Sequence, residues 1–146
     1  MNTNKNILLV EDDKDDQELF IAALSEVDKA AIYDIANNGK EALNKLENSS
    51  ALFSLIFMDI NMPVMNGIEC LSEIVKKPEI RNIPVVILST DTGHIETVRK
   101  LGAKAFIKKP ADGKSLRNQL EQLINLDFNT DSSIANQTFQ TALSTG

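Results

Sequence analysis

The chain has 146 residues, enough for one domain with a real core, 42% of them hydrophobic, and a net charge of −6. That acidic balance, with no Lys/Arg cluster to form a basic face, argues against non-specific nucleic-acid binding. No apolar run approaches the roughly 18–20 residues of a membrane span, and a polar N-terminus with a single cysteine, Cys70, reads as cytoplasmic without an internal disulfide.

The first strand is expected over about Asn6–Val10, where Ile7-Leu8-Leu9-Val10 runs into Glu11-Asp12-Asp13. Leu19, Phe20, Ala23, Leu24 and Val27 then mark one face of a helix. A weaker strand follows around Ile32–Ala36, interrupted by Asp34, before Asn38-Gly39-Lys40-Glu41 turns into a short helix carrying Ala42, Leu43 and Leu46. The third strand, Leu55-Ile56-Phe57-Met58, ends at Asp59 and opens a turn-rich loop through Asn66-Gly67. Ile68, Leu71, Ile74 and Val75 mark a third helix stopping near Pro78. Pro84 opens the strand Val85-Val86-Ile87-Leu88; Ile95, Val98 and Leu101 give a fourth helix, in which His94 is expected early and exposed. Ala105-Phe106-Ile107 is a short fifth strand ended by Lys108-Lys109-Pro110, and Leu116, Leu120, Leu123 and Ile124 stripe the last helix.

Five strand–helix units predict an α/β fold, a doubly wound parallel sheet with five helices on its two faces. In such a sheet the C-terminal strand ends share one edge, where ligands bind. Glu11, Asp12 and Asp59 would then crowd one cleft, an arrangement of like charges that favours a bound cation. Residues 1–126 form the expected domain. From Asp127 the composition turns polar, and 127–146 reads as a flexible tail or a short docking helix carrying Ala135, Phe139, Ala142 and Leu143. Cys70 is expected to fill a small space beside the third helix.

Glu11-Asp12, Asp59, Ser89 and Lys109-Pro110, each following its own strand, resemble the receiver domain of two-component response regulators. The loop Asp59-Ile60-Asn61-Met62-Pro63-Val64-Met65-Asn66-Gly67 is similar to that family's phosphoacceptor loop, and the resemblance runs from about Asn6 to Ile124. Within the family the chain resembles stand-alone regulators paired with bacteriophytochrome histidine kinases. The resemblance implies a flavodoxin-like strand order of 2-1-3-4-5 and a Mg²⁺-dependent phosphoacceptor at Asp59, a nucleophile for a phosphoryl group delivered by a sensor histidine kinase or a phosphotransfer protein. It assigns Asp12 and Asp59 to the metal directly, Glu11 through water, and Asn61 through its backbone carbonyl. Lys109 and Ser89 would contact the phosphoryl group. Ser89 and Phe106 would form the switch, and Asn61 and Asp91 would tune dephosphorylation. Family members hold the bond matching Lys109–Pro110 cis, and for this chain the sequence leaves cis and trans both open.

Asp13 is read separately as a helix N-cap, with Asp15 and Asp16 complementing the helix dipole. Ser89 has a rival in Thr90, but strand alternation points Thr90 away. The implied function is that of a phosphorelay signalling protein, no enzyme beyond its own phosphorylation and dephosphorylation. It would act through an unknown downstream protein or through a homodimer formed by the fourth helix, fifth strand and fifth helix, with no nucleic-acid or membrane partner. Two alternatives compete. A small Mg²⁺ phosphohydrolase would carry a second Asp where Asn61 stands, and a phosphorylation-independent adaptor would have no need of the full residue set.

Overall fold

Each apolar run that ends at a turn signal forms a strand, and each stripe of threes and fours forms a helix. The computed structural model describes residues 5–48, 52–126 and Phe128. Its elements are β1 (Asn6–Val10), α1 (Lys14–Val27), β2 (Ile32–Ala36), α2 (Gly39–Asn48), β3 (Leu55–Met58), α3 (Gly67–Val75), β4 (Val85–Ser89), a 3-10 turn (Thr92–His94), α4 (Ile95–Leu101), β5 (Ala105–Lys108) and α5 (Gly113–Ile124). All strand pairs are parallel, in the order β2-β1-β3-β4-β5. This is the flavodoxin-like doubly wound sheet.

Side chains alternate across the sheet and feed two apolar layers. Leu8, Val10, Ile56, Met58, Ile87 and Phe106 face the α2–α3–α4 side. Ile7, Leu9, Leu55, Phe57, Val86, Leu88 and Ile107 face α1 and α5, where the Phe20 and Phe57 rings lie 5.0 Å apart at 60°. Burial of both faces explains the unbroken apolar runs of β1, β3 and β4. β2 is an edge strand, so Asp34 stays exposed there and pairs with Lys45 at 3.0 Å.

Register brings Val10 beside Met58, so the next residues, Glu11 and Asp59, leave the sheet side by side. The Asp59 N–H continues the ladder by donating to the Val10 carbonyl at 3.0 Å. Cys70 is buried against the Gly39 carbonyl, and burial pushes its thiol up to about 12, which leaves it an unreactive space-filler. His94 closes the 3-10 turn, half-buried, instead of opening the helix.

No helix among the described residues is long and apolar enough to cross a membrane. The expected tail and its docking helix lie outside the described residues, except for Phe128. That side chain is buried against the α1–α5 layer, so the folded body reaches past residue 126.

Candidate functional site

The site is built on two loops leaving the central strands. In the first, residues 11–13, Asp13 caps α1 by accepting from the Asp16 N–H at 3.0 Å. Glu11 turns inward, 2% exposed, and is fixed at four points. Its N–H donates to the Ala36 carbonyl at 2.9 Å, its carbonyl accepts from Gln17 Nε2 at 2.6 Å, its Oε2 accepts from the Asp13 N–H at 3.1 Å, and its Oε1 lies 2.7 Å from Lys109 Nζ. In the second loop, residues 59–66, Asp59 is 8% exposed. Its Oδ1 accepts from the Ile60 N–H at 2.7 Å and its Oδ2 from Lys109 Nζ at 3.0 Å.

Glu11, Asp12 and Asp59 each offer one carboxylate oxygen, and these atoms all lie within 4.8 Å of one another. Three hard oxygen donors so close fit a small divalent cation such as Mg²⁺. Burial, the dominant influence, pushes the Glu11 carboxyl up to about 7, against the lowering effect of Lys109 and the Asp13 N–H. For Lys109 burial acts the other way, yet hydrogen bonds to Asp16, Glu11 and Asp59 together hold its ammonium above the usual lysine range. The two shifts therefore have different leading causes, and the shared ion-pair cluster explains why the pairing prevails for one and burial for the other. A single ammonium gains from three carboxylates, whereas each carboxylate has only a share of one ammonium.

The remaining sequence-predicted residues surround this centre. Ser89 ends β4 fully buried, and its Oγ accepts from the Asp91 N–H at 3.1 Å; Thr90 is exposed. Asp91 caps the 3-10 turn through Gly93 and lies 3.4 Å from His94. Asn61 is exposed two residues past Asp59. Phe106 is fully buried in the layer that holds Val98 and Ile87. The Lys109 N–H donates to the Ser89 carbonyl at 3.0 Å, tying the β5–α5 loop to β4. No cis peptide bond occurs among the described residues, so Lys109–Pro110 is trans.

Three contributions were not read from the sequence. Asp16 is no mere dipole complement: its Oδ2 accepts from Lys109 Nζ at 2.7 Å, across 93 residues of chain. Gln17 is buried and reaches both the Glu11 carbonyl and, at 3.0 Å, Asn37 Oδ1. Its place between Phe20 and the acidic run was the available signal. Asn66-Gly67, read as a turn, instead starts α3. Asn66 forms a capping box with Glu69, and the Gly67 N–H donates to the Ile60 carbonyl at 2.8 Å.

A family model for the response regulator receiver domain matches residues 7–121. The chain is 34% identical over 132 residues to a transcriptional regulatory protein, a CpxR homolog of Haemophilus influenzae, a match covering 89% of this chain and 55% of that protein. Among solved structures it is similar to the phosphorylated cyanobacterial phytochrome response regulator RcpA, with a TM-score of 0.80 at 29% identity, covering 88% of this chain and 97% of that one. It is also similar to the Mn²⁺-bound form of response regulator Rcp1, with a TM-score of 0.73 at 29% identity, covering 87% and 96% respectively. The chain spans 5%, 55% and 35% of the lengths of three curated relatives it matches.

Proposed function

The chain belongs to the response regulator receiver domain family, and on that premise we propose that it accepts a phosphoryl group on Asp59 from a histidine kinase or a phosphotransfer protein in a two-component relay. The observation that carries this reading is the buried Asp59 carboxylate, 3.0 Å from Lys109 Nζ and within one carboxylate trio with Glu11 and Asp12. A turn-starting aspartate needs none of these neighbours.

The chemistry follows from the residues. An Asp59 oxygen attacks phosphorus in line as the bond to the donor's imidazole nitrogen breaks, and that nitrogen keeps the electron pair and takes a proton. Glu11, Asp12 and Asp59 would hold Mg²⁺, with the Asn61 carbonyl, and the bound cation would offset the charge of the phosphoryl oxygens. Lys109 supplies a fixed positive charge where negative charge develops. The Ser89 hydroxyl, buried at the end of β4, is the neutral donor for a phosphoryl oxygen. Asn61 and Asp91, on the loops beside it, set how readily water reaches the product.

Phosphorylation places roughly −1.5 to −2 charge on the phosphoryl oxygens, in place of the single charge of the Asp59 carboxylate. Ser89 and Lys109 follow that charge, and because Ser89 already holds the Asp91 N–H, the 3-10 turn and α4 respond with it. Phe106 packs beneath as the switch aromatic. The outcome is a population shift of the α4–β5–α5 face toward a downstream protein or a second copy of the chain. The similarity to the phytochrome response regulator RcpA supports a phytochrome-type kinase as the donor.

The test is intact mass after incubation with Mg²⁺ and a small acyl-phosphate donor. Wild type gains one phosphoryl group, and the gain is lost with a chelator and in Asp59→Asn. Labelling retained in Asp59→Asn moves the acceptor elsewhere. Turnover of simple phosphate esters would instead favour the phosphohydrolase.

A further inference from the structure

Lys109 has three N–H donors, and all three are taken: Glu11 Oε1 at 2.7 Å, Asp16 Oδ2 at 2.7 Å and Asp59 Oδ2 at 3.0 Å. Two of those acceptors have other obligations. Glu11 and Asp59 belong to the carboxylate trio that fits a cation, and the Asp59 carboxylate gives up its own charge once it becomes an acyl phosphate. Asp16 stands outside the trio. It is fixed on the first turn of α1, whose N-cap Asp13 holds the Asp16 backbone N–H at 3.0 Å.

We infer that Asp16 is a positioning residue, a tether that keeps the Lys109 ammonium at the site while its other two partners are engaged by the cation and the phosphoryl group. This rests on the proposed function. A lysine carries a long flexible stem and loses much rotamer freedom when fixed. With Glu11 and Asp59 engaged elsewhere, Asp16 is the one remaining carboxylate partner of the ammonium among the described residues. The Asp16 contact restrains it throughout, leaving two N–H donors free for phosphoryl oxygens. The Asp16 side chain is 40% exposed and that of Lys109 14%, so the pair sits at the rim, screened but not solvated away.

Asp15 provides the control. It is the adjacent acid in the same helical turn, exposed, with the same charge and the same relation to the helix dipole. A dipole role, or a general loss of negative charge near a cation, affects Asp15→Asn and Asp16→Asn alike. A tether affects Asp16 alone.

The experiment follows phosphoryl incorporation from a small acyl-phosphate donor at saturating Mg²⁺, across donor concentrations, in wild type, Asp15→Asn, Asp16→Asn and Asp16→Glu. In parallel, the Lys109 side-chain ammonium is observed by NMR without donor. Asp16→Asn is expected to slow incorporation at saturating donor roughly three- to tenfold, a range set by the strength of a charged hydrogen bond at a partly exposed site. Asp15→Asn stays within about twofold of wild type, a shift within surface-charge effects. Asp16→Glu recovers most of the rate. The slowly exchanging Lys109 ammonium signal persists in wild type and Asp15→Asn and is lost in Asp16→Asn. Equal rates and equal ammonium signals in the two asparagine variants would overturn the tether. If wild type takes up no phosphoryl group, the proposed function fails instead, and the ammonium signal alone decides whether Asp16 holds Lys109.

Discussion

The two loops that carry the site are built on different principles. The first, residues 11–13, is short and held by side-chain charge and hydrogen bonds. Glu11 bonds Lys109 and the Asp13 N–H, and Gln17 braces the Glu11 carbonyl. The second, residues 59–66, is longer and held by backbone shape. The Met65 N–H donates to the Pro63 carbonyl at 2.7 Å around Val64, whose φ is +69°, and the Gly39 N–H donates to the Met65 carbonyl at 3.0 Å. Met62 and Met65 then anchor the loop against the apolar layer below. Under the proposed function, a loop that helps hold a cation needs charge that responds to its ligand, whereas the loop that carries the phosphoacceptor needs an address that does not change. The contrast follows that division of labour.

The largest effect is expected from breaking the shape-held loop at its closing point. Gly67 opens α3 against the chain that carries Asp59. An added Cβ would collide with the Asp59 carbonyl oxygen and lie 2.9 Å from Ile60 Cα. Both obstacles are backbone, so neither can rotate aside. Gly67→Ala should therefore cost about 3 kcal/mol, the upper part of the overpacking range, and the loss should be the same at every pH. Urea denaturation at pH 5.5 and 8 measures both; a cost below about 0.5 kcal/mol, the level of neutral surface changes, would show that the loop yields and is not held by shape.

The charge-held loop should respond to pH instead. Glu11 is pushed up to about 7 from an ordinary 4.5, so between those values the folded state holds a proton that the unfolded state has lost. Stability from this group is therefore greatest at acid pH, falls as pH rises through the window, and levels off above about 7. The gap corresponds to roughly 3 kcal/mol at most. Lys109, raised, stays protonated throughout and does not bend the curve. In wild type minus Glu11→Gln, stability without divalent cations should fall between pH 5 and 7.5. Mg²⁺ affinity should run the opposite way and rise with pH by up to about tenfold per unit below 7, because the bound cation displaces the Glu11 proton. Calorimetry in buffers of different ionisation enthalpy would detect that proton; none released at pH 6.5 would mean Glu11 is already ionised.

This difference between the loops also marks what could be read from the chain. The strands, the two apolar layers and the meeting of Glu11, Asp12 and Asp59 follow from short-range signals: an apolar run places a strand, a parallel sheet places its end, and the acids follow, whereas strand order came from the family resemblance. Lys109 could be placed by the same logic, because it leaves the end of β5. Asp16 was missed because two explanations fitted its position, and the local one, a helix dipole, sufficed without the ammonium 93 residues away. Asn66-Gly67 misled for a related reason. The glycine is required by proximity to Asp59 and not by a turn, and sequence spacing does not show what lies within 3 Å. The γ-turn at Val64 left no trace, since a β-branched residue is the last expected at positive φ.

Val64 therefore offers the smallest and sharpest test of the comparison. It is 77% exposed, so its side chain gains little from burial while its backbone bears the strain. A left-handed conformation costs an L-residue about 1–2 kcal/mol, and glycine in the same place loses about 0.5–1 kcal/mol in unfolded-chain entropy. Val64→Gly should then stabilise the protein by about 0.5–1 kcal/mol, the difference of those ranges, seen as a higher urea midpoint at unchanged slope. If the loop's shape is set by Gly67, Met62, Met65 and the Gly39 bond, phosphoryl uptake at Asp59 should stay near the wild-type rate. A gain in stability accompanied by slower uptake would mean that the strain at Val64 itself holds Asp59 in place. The shape-held loop would then be a loaded one.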